Sequence, residues 1–250
     1  KRVVKEIRKD FSSNAQMNRL LQGDVGSGKT IVALLSSLIA IDNDFQTCLI
    51  APTEILAQQH FSSINESLSK IDLNVRILTG STSKKERVIL FVELKNGVVD
   101  ILIGTHAVLE NNVIFKNLGF AIIDEQHRFG VHQRLALREK GAVKDKVKGK
   151  MKDWRDNIAP HQLIMTATPI PRSLAMTAYA DLDYSVIDEL PTGRKPVTTV
   201  VVSTSRRDEG VRRIKEACEK GEQAYWVCTL IEDSEALQAQ AAQATADTLA

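Results

Sequence analysis

The sequence predicts an α/β protein, a mainly parallel sheet flanked by helices and followed by the incomplete start of a second α/β domain. Two observations predict it. Short apolar runs alternate with longer stretches of helical period, the sequence form of parallel strands joined by crossover helices. Near Asp188 that alternation gives way to Glu189-Leu190-Pro191-Thr192-Gly193-Arg194-Lys195-Pro196, where prolines and glycine combine with charge as in an extended linker. At 250 residues, 43% hydrophobic and 26% charged, the chain has room for one large domain or two small ones.

Strands are expected over residues 18–22, 47–51, 75–78, 100–103, 120–124 and 162–166. Several are apolar at nearly every position, as central strands covered on both faces must be. Helices are expected over residues 29–41, 54–68 and 84–96. The reading places a first domain at residues 1–187, a linker at 188–196 and the incomplete second domain at 197–250. Residues 197–202 and 224–228 read as the first strands of that second domain, with a helix over 206–220 between them and Tyr225 and Trp226 in its core. The Ala/Gln-rich tail, 235–250, fits either a further helix or a frayed terminus. No internal repeat recurs at a fixed period.

Net charge is only +2, so a nucleic-acid partner must be met by local basic surface and backbone donors rather than by an overall positive protein. Cys48, Cys218 and Cys228 are an odd number and widely spaced, without the paired arrangement of a zinc or redox site, and read as free thiols of a reducing cytoplasm. No stretch approaches the ~18 uninterrupted apolar residues of a membrane span, and the charged start lacks a following signal-peptide core. The chain therefore reads as cytoplasmic, with no membrane partner.

The most specific motif is Gly23-Asp24-Val25-Gly26-Ser27-Gly28-Lys29-Thr30, a phosphate-binding loop of the form G-x-x-x-x-G-K-[ST] placed between an expected strand and an expected helix. Glycines let backbone N–H groups curl around phosphate oxygens, and the helix N-terminus adds a positive dipole. Lys29 suits the β- and γ-phosphates of a nucleotide, and the Thr30 hydroxyl suits Mg²⁺. A matching acidic pair stands at the end of an apolar run, Phe120-Ala121-Ile122-Ile123-Asp124-Glu125. Asp124 is expected to hold Mg²⁺ and Glu125 to orient and deprotonate the attacking water. Alone, such a pair is more often a solvated turn; beside the phosphate loop it reads as catalytic.

Asp124-Glu125-Gln126-His127, with Arg128-Phe129-Gly130-Val131 after it and Met165-Thr166-Ala167-Thr168-Pro169-Ile170-Pro171-Arg172 downstream, resembles helicase motor proteins and is similar in wording to the bacterial branch-migrating RecG family of ATP-dependent DNA helicases. The similarity extends through Ala51-Pro52-Thr53-Glu54, Thr79-Gly80, Gly104-Thr105-His106-Ala107 and residues 176–194, and so covers nearly the whole chain. It implies a RecA-like P-loop NTPase in which ATP sits between two such domains, and loops after the strands grip the phosphate backbone of one DNA strand.

On that resemblance Pro52, Thr53, Thr79, Gly80, Thr105 and His106 are DNA-binding, His127 joins Lys29, Asp124 and Glu125 in the catalytic set, and Thr166 and Thr168 couple nucleotide state to DNA. The threonines are small donors at strand ends and helix starts, suited to phosphates and indifferent to base identity; any one of them alone is more often a helix cap. His60, His106 and His161 read from the residues as hydrogen-bonded structural groups. A metal site built from Glu125, His127 and His132 is a rival reading, but its spacing matches no helical zinc pair.

The resemblance implies remodelling of branched DNA, such as stalled forks and Holliday junctions, in recombination and repair. It further implies contact with a single-stranded-DNA-binding protein and favours a monomer. Two alternatives stay open: a transcription-repair coupling DNA translocase, whose motor carries a similar Thr-Ala-Thr-Pro-Ile-Pro-Arg segment, and a non-catalytic nucleotide-binding scaffold. Against the family pattern, the chain starts after the DNA-junction wedge domain and the Gln segment that recognises adenine, and stops before the motifs that supply an arginine finger. Poor hydrolysis by this chain alone is the resulting expectation, since such a finger is worth ~10³ to 10⁵ in rate. The Lys-rich segment 141–160, with Trp154, reads either as a solvated loop or as an accessory DNA contact.

Overall fold

The computed structural model describes residues 1–13, 15–125, 137, 140, 159–168, 182–189 and 197–227. The elements of the first part, in chain order, are α1 (Arg2–Phe11), β1 (Asn18–Gly23), α2 (Lys29–Ile41), β2 (Gln46–Ile50), α3 (Glu54–Ser67), β3 (Val75–Leu78), α4 (Lys84–Asn96), β4 (Ile101–Gly104), a 3-10 turn (His106–Leu109), β5 (Leu118–Asp124), β6 (His161–Thr166) and β7 (Asp183–Ile187). All seven strands join one sheet in the order β3-β4-β2-β5-β6-β1-β7. Every pairing is parallel. Their carboxyl ends therefore share one edge, the edge on which ligands bind in open sheets of this class.

The apolar strands bury both faces, as their unbroken hydrophobicity requires. Leu21, Leu49, Ile101, Ile103, Ile122, Leu163 and Met165 pack beneath Val3 and Ile7 of α1, Ala33 of α2, and Ala57 and Ile64 of α3. Their neighbours of opposite parity, Leu20, Cys48, Ile50, Leu102, Ile123 and Ile164, pack against Leu90 and Leu94 of α4. This period-2 division fixes register, since a one-residue slip exchanges the two faces. Burial pushes the Cys48 thiol up to about 12, so it behaves as a small core hydrophobe.

Two elements carry little sequence signal. Helix α1 arises in the charged start because Val3, Ile7 and Phe11 recur every fourth residue, and the first two are buried. Strand β7 lacks an apolar run and buries only Ser185 within its span; its place is set by parallel pairing with β1. Arg19, buried on β1, ties both to the sheet: its Nε donates to Asp10 Oδ2 at 2.7 Å and its Nη1 to Ser185 Oγ at 2.8 Å.

Contacts divide the chain into two compact units, Lys1–Arg194 and Lys195–Ala250. In the second, α5 (Arg207–Glu219) forms close to the expected span. The strands expected at 197–202 and 224–228 are not found: residues 197–202 and 224–227 have no strand structure. Tyr225 is 93% exposed and Trp226 40%, so they are surface groups rather than core. The physical reason is that a strand exists only through its partner, and no described strand pairs with either run; a β-branched stretch by itself does not supply one. Trp226 instead carries the Arg207 guanidinium at 5.7 Å from its ring centroid. Residue 228 and the tail 235–250 lie outside the described residues.

Candidate functional site: the carboxyl edge of the sheet

The phosphate-binding loop leaves β1 at Gly23 and enters α2 at Lys29. Gly26 and Gly28 take positive φ, 78° and 93°, a backbone that L side chains rarely adopt, and this is why glycine stands at both. The loop closes through Ser27 N–H to Asp24 O at 3.1 Å. Lys29 Nζ folds over it and donates to Gly23 O at 2.7 Å and Asp24 O at 3.0 Å, two of its three donors. The Ser27 Oγ is buried and makes no hydrogen bond. A buried polar atom of this kind suits an oxygen-rich ligand such as phosphate. Thr30 follows in the first turn of α2, half-buried.

Asp124 ends β5 and is 8% exposed. In register it lies beside Met165 of β6, and Thr166 lies beside Gln22 of β1, so β6 stands between the carboxylate strand and the phosphate-loop strand. The Asp124 Oδ2 is 2.7 Å from His60 Nε2 of α3. Against an ionised carboxylate, which can only accept, that imidazole nitrogen is the donor. Glu125 takes φ 49°, left-handed for a bulky residue, turning the chain sharply after the strand. Its Oε1 accepts from Ala167 N–H at 3.3 Å. Thr166 and Thr168 join through their hydroxyls at 2.8 Å, and Thr168 N–H donates to Thr166 Oγ1 at 3.2 Å.

The other expected residues occupy the same edge on the far side of β5. Thr53 caps α3, its Oγ1 accepting from Leu56 N–H at 3.3 Å, with Pro52 preceding it after β2. Thr79 and Gly80 follow β3; the Thr79 and Ser81 hydroxyls are 2.9 Å apart. Glu54 accepts from Ser81 Oγ at 2.9 Å and from Ser81 N–H at 3.2 Å. Thr105 precedes the 3-10 turn after β4, buried with its Oγ1 unbonded, while His106 is exposed. Gly104 is required by close approach, because a Cβ there would lie 2.2 Å from Leu78 O.

A family model described as DEAD/DEAH box helicase matches residues 2–177, well over half of the chain. The chain belongs to the DEAD/DEAH box helicase family. This DEAD/DEAH box chain is 54% identical over 98% of its length to the ATP-dependent DNA helicase RecG of Haemophilus influenzae, of which it covers 34%. To the protein of the same name from Aquifex aeolicus it is 48% identical over 96% of its length, covering 29%. It thus spans about a third of the length of the curated relatives it matches. Among solved structures, RecG bound to a three-way DNA junction aligns with TM-score 0.71 and 42% identity, over 89% of this chain and 28% of that one. The helicase MrfA bound to DNA aligns with TM-score 0.61 over 88% of this chain and 33% of that one, and at 21% identity it shows the fold alone.

Within this DEAD/DEAH box chain, the residues expected to bind phosphate, Gly23 to Thr30, lie on the same sheet edge as Asp124, Glu125, Thr166 and Thr168. The threonine loops share that edge at β2, β3 and β4. His127 and His132, and with them the rival metal reading, lie outside the described residues, as do residues 141–158, 169–181 and 190–196. Among the described residues no group of three or more His, Cys, Asp and Glu side chains could hold a metal ion. Thr30 and Asp124 offer hard oxygen donors, which suit Mg²⁺ rather than a softer metal. No described helix is long and apolar enough to cross a membrane.

His161 is structural as expected, its Nδ1 accepting from Met17 N–H at 2.9 Å. His60 is hydrogen-bonded as expected, its Nε2 meeting Asp124, but that partner and the pairing of Glu54 with Ser81 were not read from the sequence. A usable signal existed for His60: it stands three residues after Ala57 and four before Ile64, on the stripe of α3 that faces the sheet.

Proposed function

We propose that this chain is the ATP-binding part of a DNA motor that remodels branched DNA, such as forks and Holliday junctions, in recombination and repair. The observation that carries this is the single carboxyl edge, on which the phosphate loop, the Asp124–Glu125 pair and the threonine loops are brought together by one parallel sheet. The likeness to a RecG structure described as bound to a three-way junction supports branched DNA as the substrate.

In this reading Gly23, Asp24, Val25, Gly26, Ser27 and Gly28 cradle the phosphates of ATP through backbone N–H groups, and Lys29 exchanges its loop carbonyls for phosphate oxygens. Thr30 and Asp124 hold Mg²⁺, which when bound neutralises charge on the phosphates. Glu125 orients the attacking water and takes its proton. Pro52, Thr53, Thr79, Gly80, Thr105 and His106 meet one strand's phosphates. Thr166 and Thr168, with His127, relate nucleotide state to that contact. Residues 1–187 form the first RecA-like motor domain, 188–196 a linker and 197–250 the start of the second. The motor acts in the cytoplasm as a monomer, with a single-stranded-DNA-binding protein as a further partner.

The test is steady-state ATP hydrolysis with and without branched DNA, by this chain and by a longer protein carrying the sequence that follows in the relatives, each beside Lys29→Ala. DNA-stimulated turnover by the longer protein that Lys29→Ala abolishes is the expected result. Indifference to DNA, or equal turnover by the variant, overturns the reading.

A further inference from the structure

Helix α3 touches both parts of the carboxyl edge. At its start Thr53 caps it, and Glu54 of its first turn holds Ser81 through two hydrogen bonds, 2.9 and 3.2 Å. Ser81 in turn lies 2.9 Å from the Thr79 hydroxyl. Two turns further on, about 10 Å along the axis, His60 Nε2 meets Asp124 Oδ2 at 2.7 Å, with the two side chains only 12% and 11% exposed. Ala57 and Ile64, on the same stripe, are 0% and 2% exposed in the core, so the helix is keyed to the sheet along that stripe.

We infer that His60 is a positioning residue that ties the Asp124 carboxylate to α3, and through α3 to the loops carrying Thr53 and Thr79; this rests on the motor reading above. A hydrogen bond to Oδ2 fixes the rotation of the carboxylate about its Cβ–Cγ bond. A phosphodiester gripped at Thr53 or Thr79 loads the start of α3, and the same rigid helix carries that load to Asp124. Coupling of this kind is reciprocal: occupancy at the Asp124 end alters DNA affinity by the factor with which DNA alters nucleotide affinity. Thr166 and Thr168 lie on β6 and the loop after it, on the opposite flank of β5, so this connection is separate from theirs.

The test is equilibrium binding of a fluorescent ATP analogue, titrated with Mg²⁺, with and without a three-armed DNA, by the full-length protein that carries this sequence. Wild type is compared with His60→Ala, His60→Gln and Lys29→Ala. His60→Ala is expected to need on the order of tenfold more Mg²⁺ for half-maximal binding, the loss of one hydrogen bond to a charged group, and to lose most of the DNA effect on nucleotide affinity. His60→Gln, whose amide N–H reaches Oδ2, restores both. If His60→Ala is unfolded, His60→Met fills similar volume without a donor and carries the same expectation. A donor-less variant with unchanged Mg²⁺ dependence and unchanged DNA effect overturns the inference, as does His60→Gln behaving like His60→Ala. Failure of wild type to bind the analogue, or binding that Lys29→Ala leaves intact, overturns the motor reading itself.

Discussion

Glu125 Oε1 accepts a hydrogen bond from the backbone N–H of Ala167 at 3.3 Å, joining the turn after β5 to the turn after β6. The carboxylate of the proposed general base is thereby seated on the segment proposed to report nucleotide state.

Glu125→Gln keeps the size of the side chain and an oxygen for Ala167 N–H but cannot take a proton. Turnover is expected to fall by ~10² to 10⁴, with ATP affinity changed only a few-fold. Single-turnover hydrolysis beside equilibrium binding checks this; equal losses in both would remove Glu125 from the chemical step.

Thr53 separates capping from DNA contact. Thr53→Ala removes the acceptor for Leu56 N–H and is expected to cost about 1 kcal/mol. Thr53→Asp preserves the cap yet places a negative charge where a phosphate is proposed to sit. Urea melts should show Asp near wild type, whereas titrations with DNA should show it weaker than Ala.

Gly104→Ala drives a Cβ to 2.2 Å from Leu78 O, backbone that cannot rotate away. A loss of about 3 kcal/mol or more is expected, with β3 and β4 forced apart. By contrast, Gly210 in α5 has nothing within 4 Å of an added Cβ. Gly210→Ala should favour that helix by roughly 0.8–1 kcal/mol, read as a rise in helical circular dichroism.

His161 has its pKa lowered from 6.5, first by burial, with Asp10 opposing. The folded form therefore resists protonation more than the unfolded chain does. As pH falls below about 6.5 the unfolded state binds the proton first, so stability declines down to the lowered folded value and is unaffected by this group above 6.5. His161→Asn retains an acceptor for Met17 N–H and is expected to flatten that part of the pH–stability curve, while lowering stability at neutral pH through loss of the ring contact with Phe11.

Elements whose signal is local were legible in the sequence. Helix α2 and strand β3 occupy the expected residues, and the apolar run ending at Asp124 is a strand buried along its whole length. The reason is that full burial on both faces demands an unbroken apolar run, and the phosphate loop demands glycine at Gly26 and Gly28 for its left-handed backbone. Strand β7 escaped because its structure comes from its neighbour β1 and not from its own residues. The runs at 197–202 and 224–227 misled for the converse reason, β propensity without a partner strand.

By itself the sequence determined where the phosphate-loop motif and the acidic pair stand and which residues are proposed to carry their chemistry, since motif identity and spacing follow from what those ligands require. Only the tertiary structure decided that Asp124 answers to His60, 64 residues earlier, and that Glu54 holds the loop after β3. Those partners meet because the strand order places β2 beside β5 and lays α3 on the sheet, and side-chain pairings across such distances leave no local mark in a chain read residue by residue.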